Sequence, residues 1–488
     1  MSPAHRSSQH SWRVVAFVVI VVAGVAVIVG TQGTTAPEAP GTPAALVSAP
    51  DAESSAWYCA GPGTASNSAQ GMIVLTNTTA RSVTGTIVSV TDSGATARTS
   101  VAVPAHSAVS PSLTPPASGS WASDIVTLAG GGVAVTQAVS GASGWSQAPC
   151  QSSTSAAWYF PSGTTTSGSG LAVSLLNPTS AAVVVDLSFV TPNGVIHPIN
   201  YQGVVLQPGQ LVVKDVGSEV QNTTTVSTVV SARTGRFVAA ELQLFPAPAA
   251  GLSLVSGFAR PETRWVIPQA QEVQGGSSEI DVLNPGEVAE SVTVRLRLPS
   301  GPLAPLSATV APSSTWVVAT SQQTRIPDGA SYTADIESSG GAGVIVGRTV
   351  RAPASASAPQ SGTAGAVDGQ SMSSPAGQWV VAPPGTSMAQ PVSGAAPEYL
   401  ALTNASGSVE DYRAYGVSPS GERPLASGSL AARSTVVVSG SALEAAGLDQ
   451  IVVRSSGPMA VSQNAAPSGA VGVVTLPGLP MGALIGGL

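Results

Sequence analysis

Apolar and polar residues alternate along short stretches of this chain, and the alternation recurs in step four times. Val185, Leu187 and Phe189 fall on one side of an extended segment, with Asp186 and Ser188 on the other. Val292, Val294 and Leu296 stand against Thr293 and Arg295 in the same way. A period of two is that of a half-buried strand. Each copy opens on a tryptophan (Trp57, Trp158, Trp265, Trp379) and runs through an apolar segment to an asparagine (Asn77, Asn177, Asn284, Asn404). It then reaches a glycine turn (Gly94, Gly194, Gly301, Gly421), which lies 17 residues beyond the asparagine every time. A last apolar strand closes each copy on a polar residue, at Gln137, Glu241, Arg348 and Gln463. Short strands with regular turn signals predict a two-sheet antiparallel sandwich of about 100 residues per copy.

The elements expected are therefore β-sandwich repeats at 57–150, 158–260, 265–351 and 379–480. The Ala/Ser/Pro/Gly-rich stretch 352–378 reads as a linker. The one helix-like stretch within the repeats is Ser441–Leu448. In repeat one the two cysteines of the chain, Cys59 and Cys150, bracket the copy. In an oxidising compartment they should pair and close a loop of about 90 residues; the alternative is two unrelated buried thiols.

The amino terminus bears on the compartment. Val14 to Gly30 is seventeen residues without a charge, preceded by Arg6 and Arg13 and followed by Glu38, Asp51 and Glu53. As a helix it would reach about 26 Å, near the lower limit for a bilayer. The positive-inside bias then places residues 1–13 in the cytoplasm, makes 14–30 a single transmembrane anchor and puts the rest outside the cell. Residues 31–56 read as a flexible stalk. A cleaved secretory signal is the competing reading, and Pro37 after the small-residue site speaks against it. The expected fold class is thus all-β: an N-terminal transmembrane helix followed by four tandem antiparallel β-sandwich repeats.

Composition narrows the function. Charged residues make up 9% of the 488 and the net charge is −7, with Lys214 the only lysine. No basic track exists for a phosphate backbone, so nucleic acid is not an expected partner. The surface must be built from Ser, Thr, Gly, Gln and Asn.

The order Trp-aromatic-x-Pro, Leu-x-Asn, glycine turn, proline turn and VxVxQ, carried by WYFP at Trp158, LLNP at Leu175 and FVAAE at Phe237, resembles the small β-sandwich of the sensory-rhodopsin-transducer family. Cys59 stands where that pattern has Phe, and the fourth copy lacks the proline turn. The resemblance implies one sandwich per copy, a carbohydrate-like or small ligand, and a tetramer that four linked sandwiches would imitate within one chain. As a whole, an anchor followed by four such sandwiches is similar to a family of membrane-anchored actinobacterial proteins of unknown function.

Catalytic chemistry finds little to work with. After the anchor only His106 and His197 remain, both in turns, and no nucleophile elbow, zinc-protease motif or phosphate loop occurs. Glu241, Glu279 and Asp281 look dispersed. No catalytic residue, metal ligand or cofactor is expected. The tryptophans admit two readings: Trp57, Trp158, Trp265 and Trp379 as ligand contacts that stack on a sugar ring, or as core plugs at the start of each copy, which is preferred. The asparagines read as turn residues that bond nearby backbone. The function expected is a non-enzymatic, membrane-anchored extracytoplasmic scaffold or binding protein of the bacterial cell envelope, with polysaccharide or envelope proteins as partners. The alternatives are a cell-wall glycan hydrolase or transferase with a site at a repeat junction, and a mechanical spacer.

Overall fold

The computed structural model describes residues 45–64, 70–141, 144–246, 251–272, 275–351, 365–368, 370–371, 378–381, 399–439, 450–465, 474–477 and 479–481. The expected anchor 14–30, the segment 1–13 and the helix-like Ser441–Leu448 lie outside them. Among the described residues no helix is long and apolar enough to cross a membrane.

Over the described residues the protein is all-β, in eight antiparallel sheets, two to each copy. The first copy holds β1 (Ser55–Thr64), β2 (Gln70–Asn77), β3 (Val83–Thr91), β4 (Thr96–Val103), β5 (Ala108–Val109), β6 (Trp121–Leu128), β7 (Val133–Gly141) and β8 (Gly144–Pro149). One of its sheets runs β1-β6-β3-β4 and the other β5-β2-β7-β8. The second copy repeats the order with β9 (Ala157–Phe160), β10 (Gly170–Leu176), β11 (Val183–Thr191), β12 (Gly194–Ile196), β13 (Val204–Leu206), β14 (Leu211–Asp215), β15 (Ser227–Thr234), β16 (Val238–Phe245) and β17 (Gly251–Ser256). The third holds β18 (Arg264–Gln271), β19 (Ser277–Asn284), β20 (Glu290–Leu298), β21 (Gly301–Pro302), β22 (Leu306–Val310), β23 (Ser314–Ala319), β24 (Ser331–Ser338), β25 (Ile345–Arg351), β26 (Gly365–Asp368) and β27 (Gln370–Ser371). The fourth holds β28 (Gln378–Val381), β29 (Tyr399–Asn404), β30 (Glu410–Ser418), β31 (Gly421–Leu430), β32 (Thr435–Ser439), β33 (Gln450–Ser455), β34 (Met459–Ala465), β35 (Val474–Pro477) and β36 (Leu479–Pro480).

The alternation sets which side chains meet between the sheets. On β11, Val183, Val185, Leu187 and Phe189 are buried and join Leu175 of β10 and Val230 of β15 in one apolar cluster. The glycines at the turn into the fourth strand, Gly94, Gly194, Gly301 and Gly421, all have φ between 81° and 132°. No atom lies within 4 Å of where their Cβ would stand, so the requirement there is backbone conformation alone.

Two expectations change. The stretch 352–378, read as a linker, supplies β26, which pairs with β25, and β27, which pairs with β18. Sheet pairing uses backbone groups, which Ala, Ser and Gly carry as well as any residue. The stalk 31–56 is packed over its described part: Val47 and Ala49 are buried and β1 begins at Ser55. Leu46 and Val47 are the large apolar residues in that stretch, and Val47 joins the first copy's core.

The copies join head to tail. The last strands touch in sequence, β8 to β17, β17 to β26, β26 to β35, and β35 returns to β8. The closure is reinforced elsewhere: Val47 bridges Met481, and Gln450 of the fourth copy donates to the Asn77 carbonyl of the first at 2.7 Å. Val417, Val452, Leu479 and Met481 belong to the first copy's apolar cluster. Residues 43–488 form one compact unit, in which one kind of interface is used around a closed ring.

Candidate functional site

The recurring residues are occupied by the fold. Trp57, Trp158 and Trp265 are buried in the cores, at most 1% exposed. The Trp158 indole donates to the Phe237 carbonyl at 2.9 Å and that of Trp265 to the Val344 carbonyl at 2.8 Å. As ligand contacts these three are therefore corrected: an indole enclosed between two sheets presents no face to a sugar. The Trp379 side chain lies outside the described residues, and its backbone pairs with Val453 and Pro480.

The asparagines do more than close a turn. In each copy the side-chain NH2 donates to three carbonyls: for Asn177, those of Ala181, Leu206 and Gln207 at 2.8, 3.0 and 3.1 Å. Its oxygen accepts the Thr179 N–H at 3.0 Å. Asn77, Asn284 and Asn404 repeat the set. A disulfide joins Cys59 to Cys150. Beside it Tyr58 and Gln151 exchange backbone hydrogen bonds, so the bond ties the first strand to the copy's exit.

The histidines are not brought together. His106 sits in a turn at φ 51°, and His197 Nδ1 lies 2.8 Å from Ser188 Oγ at the surface. Glu241 and Glu279 do converge, at the junction of copies two and three, with Asp281 buried beside them. The space there is about 10 Å3, room for a water and not for a sugar ring. Among the described residues no group of three or more His, Cys, Asp or Glu could hold a metal.

Among the described residues, a cleft of about 660 Å3 opens in the first copy. One wall is Trp121 and Asp124 of β6 with Ser89 and Thr91 of β3. The other is Gln70 and Ile73 of β2 with Gln137 and Ser140 of β7, and residues of the segment from Ser110 to Ser120 complete the lining. That segment is held by Asp92, whose carboxylate accepts the N–H of Ser120 at 2.8 Å and of Trp121 at 3.2 Å. Gly63 and Gly71 approach so closely that a Cβ on Gly63 would lie 2.9 Å from the Gly71 Cα, and β1 shifts register beside them. Ser89 donates to Asp124 at 2.6 Å. Burial pushes the Asp124 carboxyl up to about 6, against the lowering effect of the Ser89 bond. Gln137 is fixed by the Gly61 N–H at 2.6 Å and by Ser256 of the next copy at 3.2 Å.

Among its described lining Asp124 is the one ionisable group. An indole, an isolated carboxyl, hydroxyls and amides suit a polyhydroxylated ligand. Paired-carboxylate glycoside hydrolysis would need a second carboxyl group across the bond. The sequence reading missed Trp121 and Asp124; the available signal was that Trp121 is a tryptophan outside the fourfold series.

The fold and cleft describe an all-β chain of repeated antiparallel sheets. This chain belongs to the family of unknown function DUF5719, which matches residues 126–378, just over half of its length. No curated protein matches it. Among solved structures, a tetra-tandem repeat from the extending region of a large adhesion protein is 11% identical. That alignment covers 90% of this chain and 99% of the other at a TM-score of 0.12.

Proposed function

We propose that this protein is an extracytoplasmic binding protein of the bacterial cell envelope, held in the membrane by residues 14–30, with a saccharide as the ligand of its first copy. The observation that carries the reading is the cleft of about 660 Å3 with Trp121 and Asp124 on one wall and hydroxyl and amide side chains around them. The uncharged apolar segment Val14–Gly30 supports the tether. The likeness to the sensory-rhodopsin-transducer sandwich, four to an assembly, agrees with four copies in one closed unit.

The test uses the full chain in neutral detergent on an array of envelope glycans. W121A should weaken retention at least about tenfold, the scale of a lost aromatic contact, and D124N should alter which glycans are held. An array on which no glycan is retained, or W121A binding like the parent, would remove the saccharide reading. Deleting 14–30 should release the protein from the membrane fraction.

A further inference from the structure

The ring uses one interface, and at one position it breaks its own rule. Each copy presents to the next a residue near the end of its third strand, paired across to β6, β15, β24 or β33. These pairs are Val90 with Ser123, Val190 with Ser227, Arg297 with Thr333, and Val417 with Gln450. The three valines are at most 3% exposed, and each belongs to the apolar cluster centred on the following copy. Arg297 is exposed, and the junction it faces, between copies three and four, contains a cavity of about 430 Å3.

The cavity is lined by four guanidinium groups and two carboxylates. Asp335 is shared by Arg264, at 3.1 Å, and Arg433 of the fourth copy. Glu337 is shared by Arg295, at 2.6 Å, Arg433, at 3.3 Å, and Arg264, at 3.8 Å. Two positive charges are left over, in a chain whose net charge is −7, and among the described residues Arg297 has no ion-pair partner. Leu303 and two prolines, Pro302 and Pro305, give the cavity an apolar wall. The corresponding turn positions to Arg433 are His106, Gly209 and Ser313, all at positive φ, so the backbone there belongs to the repeat and the arginine to this junction alone.

We propose that the junction of the third and fourth copies binds a small ligand carrying two or more phosphate or carboxylate groups. Arg297 and Arg433 grip its oxyanions, and the proline wall takes its carbon skeleton. Guanidinium forks match both oxyanion types in geometry. The surplus charge gives the junction self-repulsion that such a ligand removes.

Calorimetric titration of the full chain in neutral detergent, with pyrophosphate, citrate and glucose as probes, tests this. Saturable binding is expected for pyrophosphate, citrate or both, which identifies the oxyanion, and not for glucose. R297V installs the residue of the other three junctions and R433S that of the third copy, so both should fold. Each should weaken binding at least about tenfold, and about 1 M salt should do the same by screening. W121A, in the first copy, should leave this binding unchanged. No saturable binding of either anion, or binding that survives both arginine substitutions, would overturn the proposal and leave the cluster an ion-pair network between copies.

Discussion

At the scale of single residues, each of the four asparagines carries at least four hydrogen bonds. Asn177 is fully buried, with its NH2 on three carbonyls and its oxygen on a backbone N–H. A side chain of that size needs both a donor and an acceptor end, which only the amide supplies. N177D keeps the shape and turns the donor into an acceptor facing three carbonyls, so it should cost about 2–4 kcal/mol of stability and be at least as damaging as N177A. Urea denaturation would read this, and N177D unfolding at the wild-type midpoint would refute the clamp. The local half of it was legible: an asparagine after an apolar strand, bonding backbone two residues on. The long-range half was not, because Leu206, Val103, Val310 and Leu430 contribute carbonyls, and a carbonyl leaves no mark in the identity of its residue. The tryptophans divided for a similar reason. Their place at the start of each copy could be read, but whether an indole points between sheets or outward depends on which face the neighbouring strand covers.

At the scale of elements, β19 shows how far a strand pattern reaches. Glu279 and Asp281 alternate with the core residues Ile280 and Val282, so their placement on the outer face follows from the sequence. That face is covered by the second copy, where Ser162 donates to Asp281 at 2.5 Å, and alternation cannot say what covers a face. The carboxyl of Asp281 is pushed up to about 8, first by burial and then by the charge of Glu279, against the Ser162 bond. The folded protein thus holds this proton more tightly than the unfolded chain, whose carboxyl titrates near 4. Stability falls as pH rises between about 4 and about 8 and levels off above. D281N removes that loss, so its melting temperature relative to wild type should climb across this range by a few degrees. A difference that stays constant from pH 4 to pH 9 would show that Asp281 does not titrate at the junction. Glu290 on β20 has the opposite sign: burial raises it, but bonds from Ser338 and from the N–H groups of Ala342, Gly340 and Gly343 outweigh burial and hold it below the usual range. Its contribution is present above the unfolded value and is lost as acid protonates it.

At the scale of the whole ring, closure is the property that could not be read along the chain, since it depends on the rotation one interface imposes and not on the content of any repeat. A head-to-tail contact makes a ring only if its rotation closes, and a filament or string otherwise. Here the fourth copy returns to the first through Val417, 1% exposed and set in the first copy's apolar cluster, and through Gln450 on the Asn77 carbonyl. V417D would place an unpaired carboxylate in that seam, where burying it costs several kcal/mol. The other three interfaces keep their own contacts, and Val417 stands at the end of β30. The variant should therefore open one seam, leaving far-ultraviolet circular dichroism unchanged. Compact packing of the ring corresponds to a radius of gyration near 22 Å by the usual scaling, ~22 Å for a domain of this length, and release of the seam should add several ångströms in small-angle scattering. A string of copies with no contact between first and fourth would scatter identically with valine or aspartate at 417, so an unchanged profile in a folded V417D protein would refute the closed ring.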